Sequence, residues 1–129
     1  MTQAVIVPSN EVLNVWSDVF HYLKRCDTEV STAEDLSTLV LDGRRTLILV
    51  MENERLMGAC IAKEVNGFAK KVVITTLGGD GANWNKAIED FSRQIKAKGY
   101  TRLEVQGRRG WLKSLNNFDE LHTTIGKDL

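Results

Sequence analysis

Three consecutive apolar segments, separated by short turn signals, constrain the fold more than any other feature of the sequence. They span residues 46–52, 55–65 and 68–77, with Asn53-Glu54 and Asn66-Gly67 between them. Asn-Gly tolerates positive φ at both positions and is a strong β-hairpin signal. The first segment, TLILVME, is nearly all apolar, which is typical of a strand covered on both faces. The sequence therefore predicts an antiparallel meander of three strands.

The residues before the meander predict one strand and two helices. Residues 4–7 (AVIV) form a short apolar run that ends at Pro8. Residues 11–25 carry apolar side chains at helical spacing. The capping box STAE, residues 31–34, predicts the start of a second helix over residues 32–41. We therefore expect a strand and then two helices ahead of the sheet's main strands.

The residues after the meander predict a crossover and a further strand pair. Apolar residues recur at helical spacing from Trp84 to Ile95, and Gly99 is a natural helix end. Residues 101–106 alternate between apolar and polar side chains, which is typical of a strand. A helix followed by a strand favours a right-handed crossover to a parallel neighbouring strand. Residues 107–118 read as a loop and a short helix, and residues 121–129 as a last strand.

Composition limits the class of protein. The 129 residues are 43% hydrophobic and carry 17 basic and 17 acidic side chains, so the formal net charge is zero. We expect a single domain over residues 1–129, with no nucleic-acid or membrane partner and a cytoplasmic location. Cys26 and Cys60 match no metal spacing, and His21 and His122 have no ligand neighbours, so we expect no metal. Cys60, within MGACIA, is expected to be a buried reduced thiol.

The order of these elements, with the glycine-rich TTLGGDGANW after the third meander strand, resembles the GNAT (Gcn5-related N-acetyltransferase) family. The segment GRRGWLKSLNNF also resembles small GNAT-like proteins encoded by tailed bacteriophages. The resemblance covers almost the whole chain. It implies an α+β (α/β) fold with a central mixed, mostly antiparallel sheet of about six strands and helices on both faces.

The resemblance implies that the glycine turn binds the pyrophosphate of acetyl-CoA through backbone amides and a helix N-terminus. This sequence departs from the family pattern at two positions. Thr76 stands where the family has Arg or Gln, and Asp80 places a carboxylate inside the turn. A turn that has lost its ligand therefore stays open as an alternative. The candidate cofactor-binding residues are Gly78, Gly79, Gly81, Ala82 and Asn83.

The catalytic residues that the resemblance implies are poorly matched. The family's acid tyrosine falls on Lys113, which cannot supply a phenol proton. Glu104, on the predicted strand 101–106, is the candidate general base, with a solvated strand residue as the alternative. Tyr100 is expected to pack at the helix end, and Tyr22 lies where family members build the acceptor site.

Arg108, Arg109 and Trp111 form the most distinctive local cluster. Arginine and tryptophan are enriched at interface hot spots, so we take these residues as candidate partner-binding residues. They could equally cap the sheet edge.

Two functions follow from these observations. The first is a non-catalytic, phage-encoded module that binds a virion or host protein, in the host cytoplasm or the virion. The alternative is an acetyl-CoA-dependent N-acetyltransferase acting on an amine. The last predicted strand is a free sheet edge, which is compatible with a homodimer.

Overall fold

The computed structural model describes residues 1–24, 33–66, 70–79 and 81–106, with the backbone alone at 33–36. These residues form a mixed sheet with helices on both faces. The elements are β1 (Thr2–Val7), a 3-10 turn (Ser9–Glu11), α1 (Val12–Lys24), α2 (Ala33–Leu41), β2 (Thr46–Glu52), β3 (Arg55–Asn66), β4 (Lys70–Gly79), α3 (Trp84–Ala97) and β5 (Arg102–Val105).

The described strands make one five-stranded sheet in the order β1-β2-β3-β4-β5. Neighbours from β1 to β4 are antiparallel, and β4 pairs with β5 in parallel. The predicted mixed, mostly antiparallel sheet is confirmed, with five strands instead of about six. The sixth strand was predicted for residues 121–129, which lie outside the described residues.

Two apolar layers sandwich the sheet. The first lies between the sheet and α3, and the second between the sheet and α1 with α2. Adjacent residues of β2 point into opposite layers, which confirms that this strand is covered on both faces. The first layer is built from Ala4, Ile48, Cys60, Ala62, Val72, Ile74, Ile88, Phe91 and Ile95. The second is built from Val7, Val12, Val19, Leu23, Val40, Leu47, Ala59 and Ile61.

Helix α3 confirms the amphipathic stripe that its sequence predicts. Ile88, Phe91 and Ile95 are buried against the sheet. The side chain of Asn83 caps the helix by accepting a hydrogen bond from the Lys86 amide at 3.2 Å. Gly99 follows the helix at φ +94°, the left-handed conformation that glycine adopts readily. In the described part of the chain, no helix is long and apolar enough to cross a membrane.

Strand β4 extends two residues further than predicted. We expected it to end at Leu77, with Gly78 and Gly79 already in the turn. Instead, Gly78 pairs with Ala59 and Gly79 pairs with Gly58 on β3. The backbone ladder therefore continues through both glycines, although their strand propensity is low.

Candidate functional site

Strand β4 extends beyond its pairing with the described residues of β5. Their parallel pairing runs from Lys71↔Arg102 to Ile74↔Val105, and the Gln106 amide then donates to the Ile74 carbonyl at 2.9 Å. The continuation of β4 beyond this pairing covers residues 75–79 and includes Gly78 and Gly79.

A β-bulge lies directly after the last described pairing of β4 with β5. On β3, Ile61 pairs with Thr76 and Ala62 pairs with Ile74, so Thr75 is an extra residue on β4. The Thr75 hydroxyl donates to the Ile61 carbonyl at 3.4 Å. A bulge bends its strand and increases the local twist. The bulge therefore places a bend between the part of β4 that pairs with β5 and residues 76–79.

Gly78 and Gly79 are required by close packing. A Cβ atom on Gly78 would overlap the carbonyl oxygen of Tyr22, near the end of α1. A Cβ on Gly79 would lie 2.6 Å from the Met57 carbonyl oxygen and 3.3 Å from Cζ2 of Trp84. Gly58, their neighbour on β3, is equally crowded. These glycines let a helix end and an indole ring lie directly on the sheet.

The turn itself is short. Gly81 has φ +70°, and the Ala82 carbonyl accepts a hydrogen bond from the Trp84 amide at 3.1 Å. Asn83 then caps α3. Of the five candidate cofactor-binding residues, the structure places Gly78 and Gly79 in β4 and brings Gly81, Ala82 and Asn83 together before the helix.

A carboxylate of the chain itself lies at the start of α3. Oε1 of Glu52, at the end of β2, accepts a hydrogen bond from the Asn83 amide at 2.8 Å. The same oxygen accepts from the Thr2 hydroxyl at 3.3 Å. The Lys86 amide donates to the side chain of Asn83, and the Ala87 amide donates to its carbonyl. The donors that a helix N-terminus offers to an anion are therefore largely engaged within the chain.

Glu104 is held in an ion cluster. Its carboxylate accepts from Nε of Arg102 at 2.8 Å and from Nζ of Lys71 at 3.2 Å, and its side chain is 16% exposed. The Arg102 contact, and then Lys71, hold the pKa of Glu104 below its ordinary value. A carboxylate with a lowered pKa is a weaker proton acceptor, so this environment opposes the role of a general base.

The two tyrosines lie near opposite ends of β4. Tyr22 is buried beside Gly78, and its hydroxyl donates to the Leu56 carbonyl at 3.3 Å. Tyr100 follows α3, with Nζ of Lys70 4.8 Å from its ring centre. A hydrogen bond to Glu64 raises the pKa of Tyr100. Because Lys70 starts β4 and Gly79 ends it, Tyr100 lies far from the glycine-rich end of this strand.

The remaining predicted residues divide into two groups. Arg108, Arg109, Trp111 and Lys113 lie outside the described residues. Cys60 is buried as predicted, and burial raises the pKa of its thiol to about 12. Among the described residues, no group of histidine, cysteine and carboxylate side chains could hold a metal ion.

Sequence reasoning missed two residues of the site. Glu52 was assigned only to the end of a strand, and Trp84 only to the apolar stripe of α3. The Glu52–Asn83 contact joins residues 31 positions apart, for which the sequence contains no local signal. Gly58 and Gly79 were the available signal for a flat apolar partner such as the Trp84 ring.

No family model matches the sequence, and no curated protein gives a significant match. Solved structures of acetyltransferases do match the fold. An aminoglycoside acetyltransferase, meta-AAC0020, from an uncultured soil metagenomic sample in complex with sisomicin has a TM-score of 0.69 at 13% identity, covering 99% of this chain and 96% of that chain. The aminoglycoside N-acetyltransferase AAC(6')-Iy in complex with CoA has a TM-score of 0.65 at 12% identity, covering 100% and 95%.

A predicted acetyltransferase from Clostridium acetobutylicum, solved with acetyl-CoA, has a TM-score of 0.63 at 8% identity and covers 99% of this chain and 96% of that chain. At identities this low, the TM-scores establish the shared fold and leave the activity open. The strand order and the bulged β4 lie within the part of the chain that the match covers. The chain therefore has the GNAT acetyltransferase fold.

Proposed function

We propose that this chain uses the GNAT fold as a protein-binding module and does not transfer acetyl groups. The observation that carries the proposal is the Glu52 carboxylate on the Asn83 amide, at the start of α3. In the sequence resemblance, this helix start is where the pyrophosphate of acetyl-CoA would bind. Here the Glu52 carboxylate of the chain itself already accepts a hydrogen bond from one of the backbone amides at this helix start.

The magnitudes favour exclusion of a second anion. Two like charges about 4 Å apart near a protein surface repel by about 4 kcal/mol. A helix N-terminus typically stabilises an anion by only about 0.3–1 kcal/mol. The residues present at the helix start therefore do not fit a pyrophosphate, and Asp80 adds a further carboxylate to the same turn.

The candidate catalytic residues support the same conclusion. Glu104 is paired with Arg102 and Lys71, which lowers its basicity. By the sequence resemblance to the GNAT family, Lys113 occupies the position of the family's acid tyrosine. Neither proton transfer that the GNAT reaction requires has a suitable residue among those proposed for it.

For the partner surface we propose Arg108, Arg109 and Trp111. The resemblance of this segment to small phage GNAT-like proteins favours a virion or host protein as the partner, met in the host cytoplasm or the virion. Two guanidinium groups beside an indole can grip an acidic surface with an apolar centre.

A capture experiment tests this assignment. Immobilised wild-type protein is compared with an Arg108→Glu/Arg109→Glu variant against phage and host lysates. Arg44→Glu/Arg45→Glu is the matched control, because it reverses the only other adjacent arginine pair in the sequence. We expect the first variant to lose a partner that the control retains. Equal retention by both variants would overturn the interface.

The second candidate is an acetyl-CoA-dependent N-acetyltransferase acting on an amine. The bulge at Thr75 favours it, because it bends β4 just beyond Ile74, the last β4 residue that pairs with β5. Release of free thiol from acetyl-CoA, measured with a panel of small amines and peptide N-termini, separates the two candidates. We expect no release above the rate without protein. Amine-dependent release that scales with protein concentration would establish the transferase and overturn our proposal.

A further inference from the structure

The outer edge of the sheet at β1 is closed by two side chains of α3. Oδ2 of Asp90 accepts a hydrogen bond from the Ala4 amide at 2.8 Å. Nε2 of Gln94 donates to the Ala4 carbonyl at 2.7 Å. Gln94 also donates to Asp90 at 3.1 Å, which links the two side chains. We call Asp90 and Gln94 the edge clamp.

The edge clamp imitates a neighbouring strand. In an antiparallel ladder, the backbone groups of alternate residues face alternate sides. Ala4 directs both its amide and its carbonyl away from β2, towards α3, so Thr2 and Ile6 also face outwards by the same alternation. The clamp supplies one acceptor and one donor to the central one of these three residues. It therefore satisfies the groups with which an added strand would have to pair.

Strand β1 has no other protection within its own sequence. TQAVIV contains no charge and no proline, the residues that natural edge strands use against pairing. Among the described residues, a groove of about 430 Å³ runs along residues 1–5 beside Asp90, Arg93 and Gln94, so there is space next to the clamp. Val5 is 40% exposed. Without the clamp, this edge would be a template for another strand.

The strand best suited to this edge is β1 of a second copy. Antiparallel pairing centred on Ala4 would place Ala4 opposite its own symmetry mate and Thr2 opposite Ile6. All three outward-facing residues would then pair at once, as a two-fold interface requires. Such pairing would join two five-stranded sheets into one continuous sheet.

We propose that the edge clamp controls self-association of this chain. With Asp90 and Gln94 on Ala4, the β1 edge is closed. When the clamp is removed, two copies pair through β1.

The test compares molar mass by light scattering over a range of protein concentrations. We expect Asp90→Ala/Gln94→Ala to change from the mass of the wild type to twice that mass as concentration rises. Glu89→Ala is the matched control, because it makes the same charge change on an exposed position of α3. It should keep the wild-type mass. No increase for a folded double variant would overturn the proposal.

A proline variant locates the contact. Thr2→Pro removes an outward-facing amide that β2 does not use, so it should abolish the dimer of the double variant and leave the fold intact. A dimer that survives Thr2→Pro would also overturn the proposal. Gln94→Ala alone frees only the Ala4 carbonyl and provides a milder variant should the double variant unfold. In that variant we expect weaker, but measurable, dimerisation. Asp90→Ala alone frees the Ala4 amide, and in this second variant we expect faster hydrogen exchange at that amide. Unchanged exchange and mass would count against the clamp.

Discussion

Single residues in the glycine-rich segment have structural roles that the sequence could not distinguish from ligand binding. A phosphate cradle and a close backbone contact both exclude a side chain, so both select glycine. The structure assigns Gly78 to contact with Tyr22, and Gly79 to contact with Met57 and Trp84. Glycine content alone therefore indicated a segment in which side chains are excluded, and it left open whether the reason is packing or ligand binding.

Replacing Gly78 tests this role. We expect Gly78→Ala to lower the free energy of unfolding by about 3 kcal/mol, because the new Cβ meets the backbone of Tyr22, which cannot move aside easily. Gly43→Ala is the control. Its φ of +78° is strained for alanine, but nothing lies within 4 Å of the added atom, so the loss should be about 1 kcal/mol. Equal losses in denaturant unfolding would contradict the packing role.

Asp90 makes a pH-dependent contribution to stability. The hydrogen bond from the Ala4 amide, assisted by Arg93 and Gln94, lowers the pKa of Asp90 below its ordinary value of 3.8. A carboxyl group whose pKa is lower in the folded state stabilises the fold above the ordinary value and loses that effect as pH falls through the folded value.

The stability difference between wild type and Asp90→Asn should therefore be largest near neutral pH. It should shrink as the pH falls below 3.8. Unfolding in denaturant over this pH series measures it, with the exposed Glu89→Gln as control. A difference that stays constant with pH would show that the charge of Asp90 is not what the Ala4 amide recognises.

At the scale of elements, local sequence patterns were sufficient to predict a helix or strand where the pattern is compatible with only one type of structure. The apolar segments and the Asn53-Glu54 turn predicted the β2–β3 hairpin, and the apolar spacing predicted α3. The end of β4 was wrong by two residues, because strand pairing overrode the low strand propensity of glycine.

The β2–β3 turn stores strain that a substitution can remove. Asn53 and Glu54 have φ of 50° and 69°, the pattern of a type I′ turn. Asparagine tolerates this region, whereas glutamate is disfavoured there. Glu54→Gly should raise the free energy of unfolding by about 0.5–1 kcal/mol, after the greater flexibility of unfolded glycine is subtracted. Denaturant unfolding measures the gain, and Asn53→Gly should give none. Destabilisation by Glu54→Gly would contradict this description of the turn.

At the scale of the whole molecule, two contacts between distant residues fix α3. Glu52 holds the Asn83 amide across 31 positions, and Asp90 holds the Ala4 amide across 86. Both occupy groups that would otherwise be open to a partner: the first an anion site, the second a strand edge. Neither contact has a local sequence signal, because each depends on how the sheet and α3 pack. The fold was therefore predictable from the sequence, whereas the closure of its open sites was not.

Thermal unfolding with and without acetyl-CoA tests whether the Glu52 carboxylate on the Asn83 amide excludes this cofactor from the start of α3. A ligand specific to the folded state adds about 2.7 kcal/mol at roughly a hundred times its dissociation constant, which raises the melting temperature of a small domain by several degrees. Glu52→Ala serves as the comparison, because it frees the Asn83 amide. We predict no shift for the wild type and a greater response from Glu52→Ala. A clear upward shift of the wild type, equal to or larger than that of the variant, would contradict the account and identify the start of α3 as a working acetyl-CoA site.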